Sequence, residues 1–293
     1  PTMTEDSEKR SILVTSALPY ANAPLHLGHI LEHIQTDIWV RYQRLIGNNV
    51  VYVCADDAHG TPIMLKADEL NMTPEELIAE IYESHTSVFR KFNISHDNYH
   101  STHSEENELL SQKIFLALQE KGLIEKKEID QLYDTSKEMF LSDRYVKGIC
   151  PSCGADDQYG DNCEKCSATY NAIELKNPVS VLSNTAPIVR KSEHLFFKLS
   201  ALKDEISSWL DTSFVQSSVR NKLNEWLNDD LKDWDISRDS PYFGFKIPGY
   251  EDKYFYVWLD APIGYIAALA SLAKQNEDID FAQYWKNTSD CEL

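Results

Sequence analysis

Residues 11–34 read SILVTSALPYANAPLHLGHILEHI, and the division of this run decides the fold. It opens on Ile12-Leu13-Val14-Thr15, the aliphatic and β-branched composition of a buried strand, and then meets Pro19 and a loop rich in Ala, Asn and Pro. A helix is expected to begin near Gly28 and run to about Ile46. Its apolar positions Ile30, Ile34, Ile38 and Leu45, with Leu31 and Tyr42 alongside, recur at helical spacing, and Gly47-Asn48 supplies the stop. Residues 50–55, VVYVCA, then read as a second buried strand. Strand, crossover helix and strand in so short a stretch form the unit from which parallel sheets are built.

The middle of that run holds three histidines and a glutamate, and two readings compete for them. His29-Ile30-Leu31-Glu32-His33 fits H-x-x-E-H, in which two histidines bind zinc and the glutamate is the base of a metalloprotease. Alternatively, His26-Leu27-Gly28-His29 opens a helix directly after a strand and its Pro/Asn loop, which aims backbone N–H groups and two imidazoles at an anion. Gly28 would leave room for close approach there. A catalytic zinc needs a third ligand, which no later segment obviously offers, and a first helical turn disfavours a dication. The anion reading is therefore preferred, with Glu32 and His33 left as residues of the helix that carries it.

Beyond residue 60 the chain alternates character. Helices are expected after Thr61-Pro62 and Thr73-Pro74, each read as a cap followed by proline at the first helical position, and from Ser104 to Lys121 ahead of Gly122. Residues 122–151 look like short strands leading into a cysteine cluster, and a second polar arm, ATYNAIELKNPVS, leads out of it. Residues near 200–232 look helical, with Trp209, Leu210, Leu223, Trp226, Leu227 and Leu231 as core candidates. KYFYVWLDAPIGYIAALASLA, residues 253–273, resumes the pattern of strand followed by helix. The fold expected is α/β: a nucleotide-binding domain with a parallel sheet in residues 1–120 and 239–293, interrupted by an insertion over 121–238. Pro1-Thr2 ahead of Met3 is read as a tag remnant.

Four of the six cysteines form two C-x-x-C pairs, Cys150/Cys153 and Cys163/Cys166, separated by nine residues. Such spacing lets each pair grip a tetrahedral ion from its own tight turn, and four sulfurs leave no position for water, so one structural zinc per chain is expected. Cys54 reads as an ordinary buried residue and Cys291 as a tail residue. The formal charge of −19 argues against broad non-specific binding to nucleic acid. No apolar run of membrane-spanning length and no signal peptide is present, which points to the cytoplasm and away from membranes.

His26-Leu27-Gly28-His29 resembles the HIGH signature of class I aminoacyl-tRNA synthetases. Together with TSALPYANAPLHLGH, CADDAHGTPI, DNYHSTHSE, YGDNCEKC, WDISRDSPYFGF and YFYVWLDAPIGY, in order along nearly the whole chain, it resembles the bacterial methionyl-tRNA synthetase family. The resemblance implies a split Rossmann-type catalytic domain whose connective-peptide insertion carries the zinc knuckle. It further implies ATP-dependent activation of L-methionine, with Mg²⁺ accompanying the ATP, and transfer to tRNA(Met). His26, Gly28 and His29 would serve ATP and catalysis. Asp57 would hold the substrate ammonium, Leu18 and Tyr20 would line the pocket, and Trp258, Ala261, Pro262 and Tyr265 would wall the thioether, which favours aromatic neighbours.

The second signature of the family, KMSKS, is missing; Lys198-Leu199-Ser200-Ala201 is the nearest text and does not match. The chain therefore reads as an N-terminal catalytic fragment, C-terminally truncated, that binds methionine or ATP weakly and activates little. Two alternatives stay open: a class I synthetase for another apolar amino acid, whose editing insertion would need more space than the hundred or so residues here, and a zinc-knuckle binding module without catalysis.

Overall fold

The structure, a computed structural model, describes residues 9–212, 215–229, 231–285 and 291–292. In chain order the first elements are β1 (Ser11–Thr15), α1 (Leu27–Leu45), β2 (Asn49–Asp56), α2 (Thr61–Glu69), α3 (Pro74–Lys91), β3 (Asn98–Ser101) and α4 (Glu105–Glu120). Then come β4 (Ile124–Asp134), β5 (Met139–Phe140), β6 (Val146–Ile149), β7 (Gln158–Tyr159), β8 (Lys176–Ser180), β9 (Ile188–Phe197), α5 (Lys203–Thr212), α6 (Ser217–Asn228), β10 (Trp234–Asp235) and β11 (Ser237–Asp239). The chain finishes with β12 (Lys253–Phe255), α7 (Val257–Gln275), α8 (Phe281–Tyr284) and β13 (Cys291–Glu292). Contacts divide it into two compact units, one of residues 1–117, 242–248 and 255–293, the other of 118–241 and 249–254.

The first unit is built on a parallel sheet of order β13-β1-β2-β3. Leu13 pairs with Val51 and Thr15 with Val53, while Val53 pairs with Asn98 and Asp56 with Ser101. β1 and β2 meet α7 and α8 in a core of Leu13, Val51, Val53, Ala268, Leu269, Leu272 and Tyr284, the continuous burial expected of parallel strands covered by helices. Cys291, read from sequence as a tail residue, belongs instead to a strand that pairs with β1 through Ser11 and Ile12. Cys54 is buried in β2 as expected, and burial pushes its thiol up to about 12.

Helix α1 lies where the periodicity places it, but of its expected apolar stripe only Ile30 and Ile34 are even half-buried. Its inward residues are His33, Asp37, Val40 and Gln43, whereas Leu27, Leu31, Ile38, Tyr42 and Leu45 are exposed. The buried polar groups have dedicated partners, which is why they can be inside. Asp37 accepts the Ser95 N–H at 2.7 Å and the Arg41 Nε–H at 2.6 Å, and Gln43 accepts from Asn48 at 2.7 Å. His33 Nδ1 lies 3.3 Å from Ser16 Oγ and 3.1 Å from His96 Nε2, with its ring stacked on Phe89.

Burial holds His33 down to about 4 and His96 down to about 3. Below pH ~6.5 the unfolded chain takes up protons that these two rings refuse, so their contribution to stability is lost as pH falls from about 6.5 toward 4. Replacing His96 with Phe should flatten that fall, read as a smaller drop in melting temperature between pH 7 and pH 5 than in the parent chain.

Among the other helices, α3 begins as expected, with Thr73 and Glu76 forming a reciprocal capping box. At α2 the cap is Gly60 and not Thr61, which is already helical. A Cβ on Gly60 would come within 2.9 Å of Tyr20 Oη at a φ of +117°, so this cap serves a neighbouring tyrosine and not a side-chain hydrogen bond.

In the second unit β4 and β9 form one long antiparallel ribbon from Ile124↔Phe197 to Tyr133↔Ile188. β5 and β6 are short strands of the kind expected ahead of the cysteines, and the outgoing arm ATYNAIELKNPVS, residues 168–180, ends in β8, while this ribbon is longer than any strand expected there. Its alternating charged residues pair across the strands, as Lys191 does with Glu128 at 2.8 Å and Lys126 with Glu193 at 3.7 Å. Beside it β7-β6-β8 form a small sheet over Leu132, Leu141, Val146, Ala172 and Leu175. Of the expected helical core, Leu210 and Leu227 are buried, but Trp209 and Trp226 are exposed. Among the described residues no helix is long and apolar enough to cross a membrane.

Candidate functional site

Parallel sheets of this kind bind ligands beyond the carboxyl ends of their strands. Two groups of side chains gather there in the first unit. The first opens α1. His26 is its N-cap, in extended conformation, and its Nδ1 accepts the N–H of Gly28 at 3.1 Å and of His29 at 3.4 Å. His29 reciprocates, its Nδ1 accepting the His26 N–H at 3.3 Å, and the two rings stack with centroids 3.6 Å apart.

Because each Nδ1 accepts, each ring carries its proton on Nε2. Burial, then the His26 ring, lowers His29 from its ordinary value, keeping it neutral at pH 7. The expectation that backbone N–H groups face an anion is thereby modified. Those of Gly28 and His29 are already taken by His26, and two Nε2–H groups at the positive end of a helix are the donors on offer.

Gly28 likewise has a different reason from the one expected. A Cβ there would meet His26 Cε1 at 2.9 Å and Nδ1 at 3.0 Å, so the absent side chain makes room for the capping ring itself. Gly28→Ala should displace that ring and lose a cap worth about 1 kcal/mol. A melting temperature a few degrees lower, together with weaker ATP binding, is the expected pair of results.

The second group surrounds the end of β2. Three carboxylates cluster here, and their partners differ. Asp56 is buried, and its Oδ1 receives His85 Nδ1 at 2.7 Å and the Tyr99 hydroxyl. Against the burial that would lower it, that bond and the Asp56 charge raise His85 above its ordinary value. Asp260, fully buried on α7, has its Oδ2 3.1 Å from His59 Nδ1.

Asp57 has no such histidine. Its Oδ1 is shielded from water and has no hydrogen-bond partner among the described residues. Burial, then the charges of Asp260 and Asp56, push its carboxyl up to about 8. A carboxylate so placed binds a proton when empty and exchanges it for a cation.

The remaining pocket candidates adjoin this group. Tyr20 is bridged to Asp57 through the backbone, and its hydroxyl donates to the His59 carbonyl at 2.9 Å. Leu18 packs toward Gly264 of α7, within 3.6 Å of where a Cβ would lie.

α7 starts at Val257, directly after the three-residue β12, so Trp258, Ala261, Pro262 and Tyr265 follow one another at i, i+3, i+4 and i+7 on a single helix face. Pro262 has no N–H to offer the carbonyl of Trp258, which loosens the first turn around that residue. Trp258 is 66% exposed, an unusual setting for the largest apolar side chain and one open to a ligand. Sequence reading overlooked Asp56, His59, His85 and Asp260 as members of this cluster. The signal was there in the acids and histidine at 56, 57 and 59, but the partners come from 29 to 201 residues away.

In the second unit the four cysteines converge. Cys150 Sγ lies 3.8 Å from Cys166 Sγ, and Cys153 Sγ lies 3.6 Å from Cys163 Sγ. Sulfurs at the corners of a tetrahedron with zinc–sulfur bonds of about 2.3 Å stand about 3.8 Å apart. All four thiols are free, so no disulfide accounts for the approach. The backbone N–H of Cys153 points to Cys150 Sγ at 3.5 Å and that of Cys166 to Cys163 Sγ at 3.4 Å, the support a pair of thiolates requires. The residues present fit a tetrahedral metal, and the cluster has the build of a zinc knuckle.

A parallel-sheet unit with paired histidines opening its first crossover helix, and a four-cysteine knuckle in a second unit, defines a class I synthetase architecture. The chain belongs to the family of class I tRNA synthetases (M), whose model it matches over residues 12–293. Among solved structures it is similar to two of Mycobacterium tuberculosis methionyl-tRNA synthetase, one bound by methionyl-adenylate and one in complex with it. Each superposes with a TM-score of 0.70 at 22% identity over 94% of this chain and 50% of that chain. The chain thus spans about half the length of these relatives.

Proposed function

We propose that this chain carries the amino-acid and ATP site of a cytoplasmic methionine–tRNA ligase, which activates L-methionine as methionyl-adenylate and passes it to tRNA(Met). The observation that carries the reading is Asp57, the one carboxylate of three at the end of β2 with an oxygen buried, unpartnered and without a histidine beside it. Such a group calls for a compact cation, and a substrate ammonium supplies one. The face of Trp258, Ala261, Pro262 and Tyr265, with Leu18 and Tyr20, supplies apolar and aromatic surface suited to a long, polarizable side chain.

With its ammonium on Asp57, methionine presents its carboxylate for attack on the α-phosphate of ATP. One oxygen forms the new bond to phosphorus as the bond to pyrophosphate breaks. The chain's part is to hold the two anions together and to meet charge on the phosphate oxygens, which His26 and His29 do through their Nε2–H groups. Mg²⁺ accompanying the nucleotide would screen the same charge. Zinc held by Cys150, Cys153, Cys163 and Cys166 would be structural, since four thiolates leave no open position.

Titration of this chain calorimetrically with L-methionine, leucine, isoleucine and valine tests the substrate assignment: methionine should bind at least tenfold more tightly than the others, and a preference for any branched residue would overturn it. The sequence contains no KMSKS, so ATP–pyrophosphate exchange by this chain should be far slower than by a longer form carrying that signature.

A further inference from the structure

We propose that Asp260, held on α7 by His59, is the second negative charge of the ammonium site and a positioning residue for the substrate amine that Asp57 receives. The inference rests on the reading of Asp57 given above and extends it to a residue that does not touch the substrate.

The geometry singles Asp260 out. It follows Val257, Trp258 and Leu259 in the first turn of α7, yet it is fully buried while Trp258 of the proposed pocket wall is largely exposed. Its carboxylate is secured at one oxygen only, by His59 Nδ1 at 3.1 Å, and Oδ1 has no partner among the described residues. Its main-chain oxygen is tied down as well, accepting from Asn107 Nδ2 at 3.1 Å, while the same amide donates to the Thr102 carbonyl at 2.8 Å. Thr102 Cγ2 lies 2.7 Å from where a Cβ on Gly264 would stand, so glycine lets α7 approach Thr102, just past the end of β3, this closely. The Asp260 carboxylate is therefore held at a fixed place. A buried charge held so firmly without full hydrogen bonding is costly for structure alone.

Its influence reaches Asp57. Asp260 reaches it through His59, which lies two residues on from Asp57 and whose carbonyl accepts the hydroxyl of Tyr20, itself bridged to Asp57; the charge of Asp260 adds to the burial that raises the Asp57 carboxyl. Asp56 is engaged by His85 of α3 and Tyr99 of β3, burial raises the nearby Tyr265 phenol, and His59 continues through its Nε2 to His103 Nδ1 at 3.0 Å. Burial raises the Asp260 carboxyl, and the charge and hydrogen bond of His59 oppose that rise; kept ionised by His59, Asp260 does two things. It makes the empty Asp57 hold a proton, and it draws an ammonium more strongly than one carboxylate could. Removing the charge should reverse both effects together.

The experiment is calorimetric titration of L-methionine from pH 6 to pH 9.5 with the parent chain, Asp57→Asn, Asp260→Asn, His59→Leu and the Asp260→Asn/His59→Leu double variant. For Asp260→Asn, which keeps size and the bond to His59, affinity on the alkaline plateau should fall at least fivefold, and the midpoint of its pH dependence should move down by about one unit. His59→Leu should do the same, because a carboxyl stripped of its histidine takes up a proton, and the double variant should show no further shift. A plain packing role would weaken binding with an unmoved midpoint and additive losses; that result, or unchanged binding by Asp260→Asn, overturns the proposal. If the parent chain does not bind L-methionine, or Asp57→Asn binds it equally well, the reading of Asp57 itself falls. Binding that depends on Asp57 but is indifferent to Asp260 rejects the role of Asp260 alone.

Discussion

Asp57→Asn is expected to reduce L-methionine binding by at least a hundredfold and, at alkaline pH, to make the chain more stable. The loss of affinity follows from removing one partner of a desolvated charge pair, an effect of about 3–5 kcal/mol. The gain in stability follows from the state of the empty site. With the folded carboxyl at about 8 and an unfolded value near 3.9, the folded chain holds a proton that the unfolded chain has released throughout that window. Stability contributed by this group therefore falls as pH rises from about 4 to about 8, by up to roughly 1.4 kcal/mol per unit, and is constant above it. The asparagine variant lacks this slope. Its melting temperature relative to the parent should rise by several degrees between pH 5 and pH 8.5, the exchange of stability for function expected where a site is strained in order to bind.

The second large effect concerns the knuckle. Cys153→Ser should abolish stoichiometric zinc and unfold the two C-x-x-C turns, while the sheet of β6, β7 and β8 keeps its own apolar core. Cys150 and Cys163 are buried with Ala155 as a very small core, far too little apolar surface to hold these turns without a metal. Zinc binding to such sites has an apparent free energy of about 10–16 kcal/mol at pH 7, which is folding free energy here. Metal analysis should give one zinc per parent chain and none in the variant. Loss of amide exchange protection across residues 150–170 should accompany it, and a chelator acting on the parent chain should reproduce that loss.

Much of this arrangement could be read from residues. The run from Ser11 to Ala55 gave strand, helix and strand because parallel pairing leaves long apolar segments joined by one crossover. The cysteine spacing gave the knuckle because two C-x-x-C turns have few other uses.

What escaped was set by partners distant in sequence. The apolar stripe of α1 suggested an inward face, yet Asp37, His33 and Gln43 occupy it, because Ser95, His96, Ser16 and Asn48 meet their hydrogen-bonding needs. Trp209 and Trp226 read as core for the same reason of residue type and are exposed.

The proposed pocket wall was legible one residue at a time, but its organisation was not. Only when α7 starts at Val257 do Trp258, Ala261, Pro262 and Tyr265 fall on one face, with Asp260 buried beside His59. Gly28 and Gly60 were also ambiguous in sequence: each is small for the sake of a neighbouring ring, His26 in one case and Tyr20 in the other.

The most direct test of the central claim, that Asp57 waits protonated for an ammonium, is the proton balance of binding. L-methionine should be titrated into this chain at pH 7.0 in two buffers of widely different ionisation enthalpy. Release of about one proton for each methionine bound is predicted, declining toward zero by pH 9. Binding with no proton released at pH 7.0 would contradict the account.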